Sequence, residues 1–213
     1  MNNFADRLEQ KIHQTGNPTV IGLDPVLEYI PQDIIDYFNE QCDDPVLAAS
    51  LAIYEFNKRL IDHVADIVPA VKPQVAYYEK YGSHGLRALQ QTIQYAAKAG
   101  MLVIADGKRN DIGSTAEAYA SAWLGENILP DDSRSPMFDA DALTVNAYLG
   151  LDGIKPFIDV CRKKGKGIFI LVRTSNPSAG DLQDLILSDG RTVYEAMAAK
   201  VAEWGDDLIG ACG

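Results

Sequence analysis

Apolar residues along this chain fall into two alternating patterns. Five short runs read as buried strands: Thr19–Asp24 (TVIGLD), Pro69–Gln74 (PAVKPQ), Met101–Asp106 (MLVIAD), Ala142–Asn146 (ALTVN) and Gly167–Val172 (GIFILV). They are rich in β-branched residues and lack clean polar alternation, as expected where both faces of a sheet are covered. Between them the period lengthens to that of a helix. Phe4, Leu8 and Ile12 share one face, and Gly16 stops that helix. Pro31 opens a short helix carrying Ile34, Ile35 and Phe38, and Asp44-Pro45 caps a longer one carrying Ile53, Phe56, Leu60 and Val64. Ser83 is expected to cap a helix ending at Gly100, and Ser114 or Thr115 one running to about Leu124. Leu151–Lys163 and Thr192–Trp204 complete the set.

Strand followed by helix, repeated, implies crossover connections and a parallel sheet. Two architectures fit, a doubly wound open sheet and a (β/α)₈ barrel. No linker, repeat or low-complexity tract interrupts residues 1–213, which read as one domain. Hydrophobic residues make up 47% and charged residues 23%, too apolar for a disordered chain. No apolar run approaches the ~20 residues of a bilayer span, and MNNFADRLEQK lacks the features of a secretory signal. Thirty acids against nineteen bases give a net charge of −11, which argues against generic nucleic-acid or anionic-membrane binding. Cys42, Cys161 and Cys212 are odd in number and widely spaced, as expected of reduced cytoplasmic thiols.

Neither GxxxxGK[ST] nor GxGxxG is present, so the chemistry is sought at the strand tips. Asp24 ends the first strand, Lys72 lies in the second, and Asp106-Gly107-Lys108 ends the third with Asp111 just beyond. Asn146 ends the fourth, and the fifth runs into Arg173-Thr174-Ser175-Asn176. In a parallel sheet these tips open onto one mouth. On an extended backbone Asp106 and Lys108 share a face, with Gly107 allowing a tight passage and Lys72 flanking Asp106. Alternating charges of this kind keep the ammonium groups protonated and titrate jointly. His13, His63 and His84 lie on helix faces or a cap, away from the tips. Tyr77, Tyr78, Tyr81, Trp123 and Trp204 read as packing residues, Glu79 as a neighbour of the site, and Arg162-Lys163-Lys164 as a solvated helix end.

Ile104–Ala120, IADGKRNDIGSTAEAYA, resembles the DxKxxDIxxT signature of orotidine 5′-monophosphate decarboxylases at Asp106, Lys108, Asp111 and Thr115. GLDP, VKPQVAYYEKYG, LTVNAYLG and RTSNPSAGDLQ agree with the longer-chain branch of that family, and Asn110 departs from it where glycine is expected. The resemblance implies a (β/α)₈ barrel with about five units in this chain, converting orotidine 5′-monophosphate to UMP in the cytoplasm without metal or organic cofactor. It implies that Lys108 is the proton donor, Asp106 the neighbour of the substrate carboxylate, and Lys72 the partner of Asp106 and of the ribose. It implies that Asp24 binds ribose hydroxyls and Ser175 the pyrimidine. Asp111 and Thr115 would serve the partner's site in a homodimer. Ile112 and Asn146 join the substrate-binding set, Asn146 without an assigned role.

Two other readings stand beside this one: a Mg²⁺-dependent sugar-phosphate decarboxylase of the same superfamily, and a non-catalytic nucleotide-phosphate binder. DIGST and RTSNPSAGD speak against the first, and the intact charged positions against the second. Five strands fall short of eight, so the chain is expected to lack a C-terminal third that carries the phosphate grip. TVIGL and GIFILV would then be apolar sheet edges, poorly soluble, and UMP binding would be weak. Arg173 and Arg191 lie at the wrong strands to replace that grip.

Overall fold

The computed structural model describes residues 3–212, so Met1, Asn2 and Gly213, the ends of the expected single domain, lie outside the described residues. Helix α1 (Phe4–Thr15) is capped by the Asn3 side chain and ends at Gly16, whose φ of 64° is left-handed. Strand β1 (Val20–Leu23) leads to α2 (Gln32–Gln41) and α3 (Pro45–Val64), where the Asp44 carboxylate accepts the Val46 N–H as a cap. Strand β2 (Ala70–Pro73) is followed by a single turn, α4 (Ala76–Glu79), and by α5 (Gly82–Lys98). Strand β3 (Leu102–Arg109) precedes α6 (Gly113–Trp123), and a small hairpin of β4 (Asn127–Ile128) and β5 (Arg134–Ser135) follows. Strand β6 (Ala142–Asn146) with α7 (Leu151–Lys164), then β7 (Gly167–Leu171) with α8 (Val193–Gly205), complete the chain.

All five long strands run parallel, in the order β1-β2-β3-β6-β7. The expected sheet edges, TVIGL and GIFILV, are the outer strands. Three local expectations change. Ser83 lies inside α5, whose cap position is Tyr81, and His84 lies in the same first turn. Neither Ser114 nor Thr115 caps α6, which starts after Ile112 without a side-chain cap. Arg162 and Lys164 are not merely solvated, because they pair with Asp159, Asp207 and Glu126. The turn α4 and the β4–β5 hairpin are too short to leave a periodic signature.

Both faces of the sheet are apolar at its lower end, for two reasons. Val71, Val103, Ala105, Leu143 and Val145 face the helices and pack with Ile53, Ile61, Leu89, Ile93, Ile154 and Phe157. Ala70, Leu102, Ile104 and Ala142 point to the other face, where Phe4 of α1 covers them. Gly167 leaves room for that ring, since a Cβ there would stand 2.5 Å from Phe4. Arg7 of the same helix fixes the closure, donating to Asp141 Oδ1 at 2.6 Å while Asp141 Oδ2 accepts the Val103 N–H at 2.9 Å. Above the core, the Tyr78 hydroxyl is fully buried and accepts from Asn57 Nδ2 at 2.8 Å. Burial raises the Tyr78 pKa, so this hydroxyl stays protonated. No helix among the described residues is long and apolar enough to cross a membrane.

Asp141→Ala removes a charged acceptor that joins α1 to the seam of β3 and β6. It is expected to cost about 2 kcal/mol. The measurement is the urea unfolding midpoint at unchanged m-value, and an unshifted midpoint would show that the contact is idle.

Candidate active site

A strand turns alternate residues to the same face. The face that carries Ala70, Leu102, Ile104 and Ala142 at its lower end therefore carries Lys72, Gln74, Asp106 and Thr144 at its upper end. Parallel pairing aligns them, with Ala70 opposite Leu102, Gln74 opposite Asp106, and Ala142 opposite Ile104. The change from apolar to polar along one face turns the floor of a core into the floor of a site.

Asp106 lies at the centre. Only 8% of its surface is exposed, and its two oxygens accept four hydrogen bonds. Lys72 Nζ and Gln74 Nε2 reach Oδ2 at 3.0 and 2.9 Å. Lys108 Nζ and Thr144 Oγ1 reach Oδ1 at 2.7 and 2.8 Å. Burial pushes the pKa of this carboxyl up, but the bonds from Lys108, Lys72 and Thr144 outweigh burial and hold it down at about 2. Gln74, Asp106 and Lys108 of the cluster open into a hollow of about 500 Å³, which Tyr77 also lines. A separate apolar hollow, between α1, β7 and α8 and walled by Phe4, Ile168 and Trp204, contains none of this cluster.

Lys108 reaches Asp106, as expected, but not by way of an extended strand. Residues Ala105 and Arg109 of β3 stand opposite Leu143 and Val145 of β6, so β3 holds two extra residues there. The bulge puts Lys108 at φ 47°, a left-handed conformation that costs a side-chain-bearing residue on the order of 1–3 kcal/mol. Gly107 is not required for space. A Cβ there would meet Leu143, Val75 and Arg109 at 3.4–3.6 Å, which is ordinary contact. Arg109 grips the bulge from the other side. It donates to Gly107 O at 3.0 Å, pairs with Glu79, and lies 5.8 and 5.4 Å from the Tyr119 and Trp123 rings. Glu79 thus reaches the site through Arg109. Asn110 turns inward, where its Oδ1 is buried without a hydrogen-bond partner among the described residues.

The other expected residues stand apart from the ion cluster. Asp24 and Ser175 are exposed at the ends of β1 and β7, and Asn146 Oδ1 accepts its neighbour Tyr148's N–H at 2.9 Å. Asp111 Oδ1 accepts the Ile112 N–H at 2.8 Å, while Ile112 and Thr115 are exposed at the start of α6. Arg173 and Arg191 are held by Asp184 and Asp189. Among the described residues no group of three or more His, Cys, Asp or Glu side chains could hold a metal ion. Gln74 and Thr144 were not singled out from the sequence. The two-residue period would have found them, because Gln74 follows Lys72 by two and Thr144 precedes Asn146 by two.

The family model described as "Orotidine 5'-phosphate decarboxylase / HUMPS family" matches residues 35–212. The chain belongs to this family. An orotidine 5′-phosphate decarboxylase of Rhodopirellula baltica is 47% identical over 213 residues, which is 100% of this chain and 68% of that protein. One from Caldicellulosiruptor saccharolyticus is 41% identical over 210 residues, covering 99% and 68%. The solved structure of Leishmania donovani OMP decarboxylase superposes with a TM-score of 0.71 at 30% identity, covering 96% of this chain and 67% of that one. The α/β barrel expected from the sequence is the fold found, with five of its β/α units in this chain.

Ionised Asp106 has a consequence for acid stability. Its folded pKa lies below the ordinary 3.8, so its contribution is complete above pH ~4 and is lost as pH falls through about 2. The loss should be about 2 kcal/mol. Urea unfolding between pH 5 and pH 2 is expected to show this extra decline in the native protein and not in Asp106→Asn. Parallel declines in the two proteins would contradict the assignment.

Proposed function

We propose that this protein decarboxylates orotidine 5′-monophosphate to UMP, as a carboxy-lyase of pyrimidine biosynthesis. The observation that carries this reading is the alternation Lys72–Asp106–Lys108 at the strand tips, joined at 2.7–3.0 Å, with Asp106 and Lys108 open to the hollow. The names of the relatives and the Asp106, Lys108, Asp111, Thr115 spacing support it.

The chemistry asks for what such a cluster offers. Cleaving the bond between C6 and the carboxylate leaves the electron pair on C6, in the ring plane, where the π-system cannot spread it. A fixed ammonium near C6 stabilises charge that exists only in the transition state, so it accelerates the reaction instead of merely binding substrate. At about 4 Å and an effective dielectric of ~20, one such contact contributes on the order of 4 kcal/mol. Lys108, whose side chain is 46% exposed and lines the hollow, carries the ammonium that then gives its proton to C6. CO₂ departs, UMP forms, and solvent restores the lysine proton. Asp106 stays charged and faces the substrate carboxylate, a repulsion that ends when CO₂ leaves. Lys72 holds Asp106 and reaches the ribose, Asp24 takes ribose hydroxyls, and Ser175 takes the pyrimidine. Ile112 and Asn146 complete the binding wall.

The working form in this reading is a homodimer. Ile112, Tyr148, Leu149 and Leu151 expose 54, 75, 46 and 44% of their surfaces around the loops after β3 and β6. A second copy seated there would receive Asp111 and Thr115. The three cysteines are free, which fits a reducing cytoplasm.

In the complete protein, Lys108→Ala is expected to abolish turnover without loss of fold, and EDTA is expected to leave native turnover unchanged. Mixed with inactive Asp111→Ala subunits, Lys108→Ala subunits should regain activity, because one site of the mixed dimer then has both residues intact. UMP formation followed by chromatography reads all three. Native-like rates in Lys108→Ala would end the mechanism, and mixed dimers that form yet stay dead would end the shared site.

A further inference from the structure

We propose that Thr144 is a positioning residue for the decarboxylation: its hydroxyl holds the bulged Lys108 peptide and Asp106 in one fixed geometry, which aims Lys108 Nζ at the reacting carbon. The proposal rests on the function read above.

Backbone accounting leads to it. The two-residue bulge takes Lys108 out of the ladder between β3 and β6, so its N–H loses the carbonyl acceptor that a regular strand would supply. Thr144 Oγ1 accepts that N–H at 2.9 Å. The same hydroxyl donates its only proton to Asp106 Oδ1 at 2.8 Å. Asp106 Oδ1 in turn receives Lys108 Nζ at 2.7 Å. Lys108 is therefore held at both ends by one linked set of groups, its backbone through Thr144 and its ammonium through Asp106. The left-handed φ of 47° persists only if its surroundings impose it, and this peptide has Thr144 on one side and the Arg109 grip on the preceding carbonyl. Thr144 itself is anchored. It lies within β6, between Leu143 and Val145, both fully buried, and is paired with Phe169 of β7. A hydroxyl is required here because it must accept and donate at once. Valine has the same shape and can do neither.

Three variants test this in the complete protein. Thr144→Val is expected to lower kcat roughly 100-fold, the scale of a misplaced reacting group, with KM little changed. Thr144→Ser keeps the hydroxyl and should restore kcat close to the native value. Thr144→Ala should behave as Val does, so the serine–alanine comparison decides if the valine variant fails to fold. Hydrogen exchange at the Lys108 amide gives a readout free of turnover: slow in the native protein and Thr144→Ser, markedly faster in Thr144→Val or Thr144→Ala. Native kcat in the Val or Ala variant overturns the proposal. So does a Ser variant as impaired as Val, or an amide that exchanges equally fast in all four proteins. If the native protein leaves orotidine 5′-monophosphate unchanged while the exchange pattern holds, the functional reading fails and the hold of Thr144 on Lys108 stands.

Discussion

A carboxylate with 8% of its surface exposed remains ionised only if its neighbours replace the water it has lost, and the site is organised around supplying that replacement to Asp106. Two ammonium groups, one amide and one hydroxyl come from three adjacent strands, β2, β3 and β6. None of these strands supplies enough alone. The register of the parallel sheet is therefore a chemical requirement as well as a structural one. A slip of one residue in β2 would turn Lys72 and Gln74 toward the helices and leave Asp106 Oδ2 without a donor.

The division between core and site follows the same strands. Each inner strand begins with small or aliphatic residues facing Phe4 and ends with polar residues that meet at Asp106. The lower, dry half fixes strand spacing through packing, with Arg7 and Asp141 closing the base. The upper half inherits that spacing and converts it into donor–acceptor distances. Stability and function thus share a scaffold: the strained Lys108 is held through Thr144, which the buried strand β6 anchors between Leu143 and Val145.

Much of this was legible in the residues. Apolar runs marked the five strands, the barrel implied by the family resemblance fixed their order, and caps with a strong chemical cause, Asp44-Pro45 and Gly16, fell where the sequence pointed. Ser83, Ser114 and Thr115 misled because a capping residue type is common inside a first turn, and tertiary packing chose other starts. At the site, charge drew attention to Lys72, Asp106 and Lys108, while the neutral donors Gln74 and Thr144 carried no comparable signal. The bulge was invisible. Asp-x-Lys reads equally well as a regular strand, and only pairing with β6 shows that two residues are in excess.

Net charge sharpens what the site must accomplish. The chain carries −11, and in the reading proposed here its substrate is itself a carboxylate and a phosphate ester. Long-range attraction cannot guide such an anion, so recognition depends on cations that act at contact distance. Of the arginines after β7, Arg173 and Arg191 are neutralised by Asp184 and Asp189. Lys72 and Lys108 share one carboxylate and leave a single surplus positive charge at the mouth. That surplus favours the ionised form of Asp106 and, in the reading proposed here, stabilises the carbanion as it forms beside Lys108. In the homodimer proposed above the partner's Asp111 would offset that surplus, and the loss of Asp106 would leave two ammonium groups free to bind the substrate carboxylate tightly in the ground state, which lowers KM and does nothing for the barrier.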